Sequence, residues 1–245
     1  MIRGIAFDIN GTLVDILTNE ADDGVYRVLS NLLDYQGISI SPDKVRRLYF
    51  EINKRQRRCS PEPFPEFDVV ALFREILKLC GSDRTRSLPK EKRRELPLLL
   101  AETFRAASRF KLELYPGVRE VLDELRPRYR MAALSDGQSA WALPELRSVG
   151  LEKYFDPVIV SGDLGFRKPD PRMFELLLSQ MELSPDEILF VGNDMYRDIF
   201  GAGQLGIRTV FFRSNQGDQR PAGREPDYII YRFSELPEAV RFLSK

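Results

Sequence analysis

The stretch Ile2-Arg-Gly-Ile-Ala-Phe-Asp8-Ile-Asn10-Gly-Thr12 is a short apolar run stopped abruptly by an acid and an Asn-Gly step. Too short for a helix and closed by turn residues, it reads as a buried strand ending in a turn. Its apolar residues are continuous rather than alternating, the pattern of a strand covered on both faces. Such a strand needs partners of its own kind, and these lie far along the chain.

After Tyr115-Pro-Gly117 the chain alternates: helix 118–125, strand 129–134, helix 140–149, strand 158–160, helix 172–181, strand 188–191, helix 196–205 and strand 207–212. Strand 228–230 and helix 235–243 follow. Repeated strand–helix–strand units predict a parallel sheet with helices on both faces and right-handed crossovers. From about Ile16 to Lys111 the apolar residues instead keep helical spacing, with little strand signal: Val25, Val28, Leu29, Leu32 and Leu33; Val45, Leu48, Tyr49 and Ile52; Val69, Leu72, Phe73, Ile76 and Leu77. Ser41-Pro42 supplies an N-cap and first-turn proline, Gly81 a stop, and Pro61, Pro63 and Pro65 a stiff loop. The expected fold is α/β, a Rossmann-like parallel-sheet core of residues 1–15 and 112–245 with residues 16–111 inserted as an all-helical module.

Composition narrows the chemistry. The 245 residues contain 37 Lys+Arg, 37 Asp+Glu, two cysteines and no histidine. Absence of imidazole excludes Ser-His-Asp and Cys-His nucleophile systems, His-ligated zinc and a histidine general base. Zero net charge gives no field for nucleic acid or an anionic membrane, so a small molecule is the expected partner. Cys59 and Cys80 make neither a disulfide framework nor a metal-type pair. No signal-peptide pattern opens the chain, and no uncharged apolar run approaches the ~18 residues of a membrane span. A cytoplasmic protein is expected, as a monomer or homodimer.

In an open parallel sheet, ligands bind beyond the carboxyl ends of the strands. The polar residues there are Asp8 and Thr12, then Ser135-Asp136, Lys168 in Gly165-Phe-Arg-Lys-Pro-Asp170, and Asn193-Asp194 with Asp198. A carboxylate nucleophile, an ammonium to neutralise phosphate, hydroxyl donors and an acidic pair suit phosphoryl transfer to an aspartate. Hard oxygen ligands without His or Cys select Mg²⁺ over zinc.

On these residues the chain resembles the haloacid dehalogenase-like (HAD) hydrolase superfamily. The matching segments are Phe7-Asp-Ile-Asn-Gly-Thr-Leu-Val-Asp15, Leu134-Ser-Asp-Gly137, Arg167-Lys-Pro-Asp170 and Val191-Gly-Asn-Asp-Met-Tyr-Arg-Asp-Ile-Phe-Gly-Ala202, in order and each after an expected strand. The helical insertion is similar in position to the C1 cap of the subgroup that includes 2-haloacid dehalogenases, phosphoglycolate phosphatase and β-phosphoglucomutase; such caps close over substrate and exclude water. The resemblance implies a Mg²⁺-dependent phosphatase of a small phosphorylated metabolite, with an aspartyl phosphate formed on Asp8. It implies that Thr12 and Ser135 bond the nucleophile and a phosphate oxygen, that Lys168 neutralises the anionic site, and that Asp136 takes part in substrate binding. Its metal set is Asp8, the Asn10 backbone carbonyl, Asp194 and the supporting Asp198, with Asn193 competing with Asp194 for the first acidic position.

Asn10 departs from the family pattern. Phosphatases that resemble this chain carry a second Asp there, which protonates the leaving group and then activates water, and loss of such a group costs about 10²–10⁴-fold in rate. Two alternatives follow: a weakly active or non-catalytic phosphate-ligand binding protein on the same scaffold, or a 2-haloacid dehalogenase, since those enzymes also lack that Asp. Against dehalogenation stand the retained Asp194 and Asp198, Phe174 in place of the usual tyrosine, and Asp136 in place of the usual asparagine. With no histidine available, a substitute proton donor would come from Asp15, Asp136 or Asp194, or from metal-bound water.

The run Lys54-Arg-Gln-Arg-Arg58 reads as a solvated cationic face before it reads as a substrate funnel. Trp141, Tyr49 and Phe64 read as core, with none assigned to substrate.

Overall fold

The computed structural model describes residues 1–244. The opening run is strand β1, Gly4–Phe7, followed by β2, Val14–Thr18. Helices α1 (Asp23–Tyr35), α2 (Pro42–Cys59), α3 (Val69–Cys80), α4 (Asp83–Arg86) and α5 (Lys90–Ser108) come next, then strand β3 (Arg109–Leu114). The second half runs α6 (Val118–Leu125), β4 (Arg130–Ser135), α7 (Ser139–Ser148), β5 (Val158–Val160), α8 (Pro171–Met181) and β6 (Ile188–Gly192). A π-helical turn, Met195–Phe200, leads into α9 (Gly201–Gly203), and β7 (Arg208–Phe212), β8 (Tyr228–Ile230) and α10 (Leu236–Leu243) complete the chain.

Six strands form one parallel sheet in the order β5-β4-β1-β6-β7-β8. Phe7 of β1 stands level with Ala133 of β4 on one side and Val191 of β6 on the other. The chain builds outward from β1 to β5, then returns to build the other half, so the switch point lies at β1 and a crevice opens at its carboxyl end. Alternate residues of β1 feed two cores: Ile5 and Phe7 join Leu122, Phe155 and Phe233 on one face, and Ala6 joins Phe174, Leu177 and Phe190 on the other. That double burial is why the run is apolar throughout.

The helices of the insertion pack around a second core, in which Tyr26, Tyr49, Phe73 and Phe104 are fully buried beside Leu29, Leu72 and Leu100, and which Trp141 of α7 also joins. Ser41 caps α2 with Pro42 in its first turn, and Asp68 caps α3 by accepting from Ala71 N–H at 2.8 Å.

The all-helical expectation is corrected at both ends of the insertion. β2 and β3 pair as an antiparallel ribbon, with Asp15 opposite Glu113 and Ile16 opposite Leu112, so residues 16–18 and 109–111 are strand. The alternation Phe110-Lys-Leu112-Glu-Leu114 is a period-two signal, short enough to be masked by the helical spacing before it. Across the ribbon the Lys111 ammonium meets Asp15 at 2.5 Å and holds its carboxyl below the ordinary carboxylate range. Among the described residues no helix is long and apolar enough to cross a membrane.

Candidate active site

β1 delivers Asp8 into the crevice, where it is buried and its N–H donates to the Val191 carbonyl at 2.9 Å. Gly11 follows at φ +87°, and a Cβ there would stand 2.3 Å from Asn193 Nδ2; only glycine closes this turn against the loop after β6. The turn places Thr12 Oγ1 3.2 Å from Asp8 Oδ2 and 3.1 Å from Asn193 Oδ1, one hydroxyl proton serving two acceptors.

Lys168 occupies the other side of Asp8. Its ammonium reaches Asp8 Oδ1 at 2.7 Å, Asp198 Oδ1 at 2.6 Å and the Leu134 carbonyl at 3.1 Å, which uses all three of its protons. Burial works against its charge, but the Asp198 and Asp8 carboxylates outweigh that and hold Lys168 above its ordinary value. Asp136 Oδ1 fixes the Lys168 backbone N–H at 3.0 Å, and burial raises the Asp136 carboxyl above its usual range. Ser135, at the end of β4, is buried and among the described residues its hydroxyl makes only a 3.5 Å contact with the Asp136 carbonyl, which leaves it able to turn toward a ligand.

The segment after β6 supports this centre from behind. Asp198 Oδ2 accepts the backbone N–H groups of Asn193 and Asp194 at 3.1 and 3.0 Å, and burial pushes its carboxyl up to about 6. Gly192 makes room for it, since a Cβ there would lie 2.4 Å from Asp198 Cβ. Asp194 is engaged elsewhere: it accepts the N–H groups of Tyr196, Arg197 and Asp218 at 3.1, 2.8 and 3.0 Å and two Arg197 guanidinium bonds at 2.9 and 2.8 Å. Burial acts to raise its carboxyl, but the Arg197 bonds prevail and hold it below the ordinary range. Of the two competing residues, Asn193 therefore stands beside the Asp8–Thr12 pair, and Asp194 is held by Arg197. The reason is that Asp194 caps the π-helical turn, a commitment made by Arg197 and by a loop that motif spacing does not include.

None of the carboxylates considered as a substitute proton donor is hydrogen-bonded to Asp8 or Asn10. Asp15 is held by Lys111 and Gln216, Asp194 by Arg197, and Asp136 by Lys168 N–H, with its second oxygen 3.7 Å from Arg197.

A cavity of about 230 Å³ lies between the core and the helical module, lined by Asn10, Asp136, Gly137, Arg167 and Arg197 from the core and by Glu20, Asn53, Arg57, Glu66 and Arg105 from the module. Asn10 Oδ1 is buried there without a hydrogen-bond partner. The arginines are functional candidates that the motifs do not reveal. Arg57 comes from the basic run expected to be solvated, yet its guanidinium lies 5.0 Å over the Phe67 ring and pairs with Glu66 at 3.0 Å. Trp141 both lines the cavity and packs as core, with its ring on Phe104 and Nε1 donating to the Ala101 carbonyl at 2.8 Å.

A parallel-sheet core with an inserted helical module, and a buried aspartate–lysine–aspartate chain at the end of its central strand, mark an α/β enzyme of the Rossmann-like class. A family model described as haloacid dehalogenase-like hydrolase matches residues 2–206; the chain belongs to that family and is a hydrolase. Glyceraldehyde 3-phosphate phosphatase of Methanopyrus kandleri is 30% identical over 191 residues, covering 74% of this chain and 82% of its own. Phosphoglycolate phosphatase of Yersinia pestis is 26% identical over 98% of this chain and 93% of its own. In fold the chain is similar to a 2-haloacid dehalogenase from Pseudomonas syringae pv. Tomato DC3000, with a TM-score of 0.68, 23% identity and 99% of each chain covered.

Proposed function

We propose that the protein is a phosphatase of small phosphorylated metabolites that works through an aspartyl phosphate on Asp8, with residues 16–111 as the cap over its site. The observation that carries this reading is the setting of Asp8: one oxygen on Lys168 at 2.7 Å, the other on Thr12 at 3.2 Å, beside a small cavity lined with guanidinium groups. The phosphatase names of the two curated relatives support it. Asp8 attacks phosphorus, the bond from phosphorus to the ester oxygen breaks, and the leaving oxygen takes a proton from solvent because Asn10 has none to give. Water then adds to phosphorus, releases inorganic phosphate and restores the carboxylate. Ser135 donates to a phosphate oxygen, and the Lys168 charge offsets the charge on the phosphate.

The donor set fits one Mg²⁺ ion. Among the described residues no three His, Cys, Asp or Glu side chains converge, but the Asp8 carboxylate, Asn10 carbonyl and Asn193 amide offer three hard oxygens. Mg²⁺ is satisfied by one or two carboxylates when water and substrate phosphate complete its shell. Asp198 supports the set through the Asn193 N–H, and Asp194 only through the turn it caps. When bound, the ion would neutralise phosphate charge.

The purified protein is expected to release phosphate from p-nitrophenyl phosphate with Mg²⁺, to stop in excess chelator, and to lose the activity in Asp8→Asn. Equal turnover by that variant rejects the reading. Thermal stabilisation by phosphorylated metabolites without turnover would make the protein a binding member of the family. Dehalogenation is a second reading with one observation behind it: Asp194 and Asp198, the acids that argue for a metal, are held by Arg197 and Lys168. Chloride release from 2-chloropropionate in metal-free buffer, without phosphatase activity, would put it first.

A further inference from the structure

We infer that the substrate carries a carboxylate in addition to its phosphate, and that Arg57 and Arg167 bind it; this rests on the phosphatase reading. Four guanidinium groups line the cavity. Two are already matched: Arg105 bonds Glu145 through Nε at 2.6 Å and Nη2 at 3.3 Å, and Arg197 holds Asp194. Arg57 is matched only in part. Its Nη2 meets Glu66 at 3.0 Å, but its Nε is buried with no hydrogen-bond partner. Arg167 is anchored by its backbone N–H, which donates to the Phe64 carbonyl at 3.0 Å. Its guanidinium makes no hydrogen bond or ion pair among the described residues and acts on Glu66 only through space.

Two acceptors of the core loops line the same cavity. Asn10 Oδ1 and Asp136 Oδ2 have no hydrogen-bond partners, and both belong to the loops around Asp8 and Lys168. The Glu66 carboxylate is used by Arg57, by Phe67 N–H at 3.0 Å and by the Ser161 hydroxyl at 3.2 Å. Glu20 takes the Tyr49 hydroxyl at 3.3 Å and lines the same cavity. A buried donor without an acceptor is what a ligand anion repairs, and the planar guanidinium fork matches a carboxylate better than a neutral polyol. The cavity of about 230 Å³ is small, in keeping with a short-chain phosphorylated acid.

The test compares 3-phosphoglycerate with glycerol 3-phosphate, which differ by a carboxylate against a hydroxymethyl group. The wild-type protein with Mg²⁺ should favour the acid by at least about tenfold in kcat/KM, expressed mainly in KM. Arg167→Met should bring the ratio near one, and Arg167→Lys, which keeps the charge without the fork, should fall between; circular dichroism confirms that each variant is folded. Equal efficiencies in the wild type, or a ratio unchanged in Arg167→Met, overturns the inference. Hydrolysis of p-nitrophenyl phosphate but of neither metabolite also overturns it and leaves the phosphatase reading standing. Hydrolysis of none of the three rejects both.

Discussion

Asn10 lies two residues beyond the nucleophile, and its amide neither gains nor loses a proton near neutral pH. The penalty for that depends on the leaving group, because an alkoxide needs protonation far more than p-nitrophenolate does. Asn10→Asp is therefore expected to raise kcat on an alkyl phosphate by about 10²–10⁴-fold and on p-nitrophenyl phosphate by much less. Equal gains on both substrates, measured side by side, would remove proton transfer as the explanation. At this scale the sequence is informative where a residue sits at or just past a strand end, as Ser135 and Asp8 do. It is silent on which of the neighbours Asn193 and Asp194 turns toward Asp8, because Arg197 and the Asp218 N–H make that choice through tertiary contact.

Among the elements, the sheet and the module helices are legible because their apolar residues repeat with period and run long enough to be counted. The β2–β3 ribbon is not, since each of its strands is short and one lies directly after α5. Phe104 of α5 shows what the module's packing contributes: it is fully buried, with Tyr49 stacked at 4.3 Å and Trp141 of α7 at 6.0 Å between ring centroids. Phe104→Ala should cost about 3–5 kcal/mol, read as a lowered urea midpoint, and a loss under about 1 kcal/mol would show that the module repacks. Before β1, Arg3 pairs with Glu187 at 2.8 Å, and with the Ser184 N–H and hydroxyl it holds that carboxyl at about 2 against an ordinary 4.5. A depressed carboxylate adds stability above its ordinary value and loses it as pH falls toward the folded value. The thermal midpoint should thus decline on acidification from about pH 4.5 toward 2, and Arg3→Met should flatten part of that decline. Superimposable curves for the two proteins would contradict the assignment.

Across the whole molecule, the size of the cavity depends on how firmly the module is held over the core. The ribbon joins them on one side, and a proline-rich strap, residues 61–68, joins them on the other. Glu66 N–H donates to the Gly165 carbonyl at 2.9 Å and Arg167 N–H to the Phe64 carbonyl at 3.0 Å, so the strap pairs with a core loop almost as a strand would. Gln138 bonds it again, accepting from Val69 N–H at 2.9 Å and donating to the Phe67 carbonyl at 2.6 Å. Two irregular segments pairing in this way leave no periodic trace, which is why the sequence shows an insertion but not its fastening. With both sides tied, a bulky phosphate ester is expected to strain the strap on its way to Asp8. AMP is therefore expected to be hydrolysed with at least about tenfold lower kcat/KM than a three-carbon phosphate. Gln138→Ala, which leaves Val69 N–H and the Phe67 carbonyl without their partner, should narrow that gap and speed amide exchange across the strap. A wild-type protein that accepts AMP as readily as the smaller ester would mean that the module opens despite the strap, and that the cavity seen between them does not set the size of the substrate.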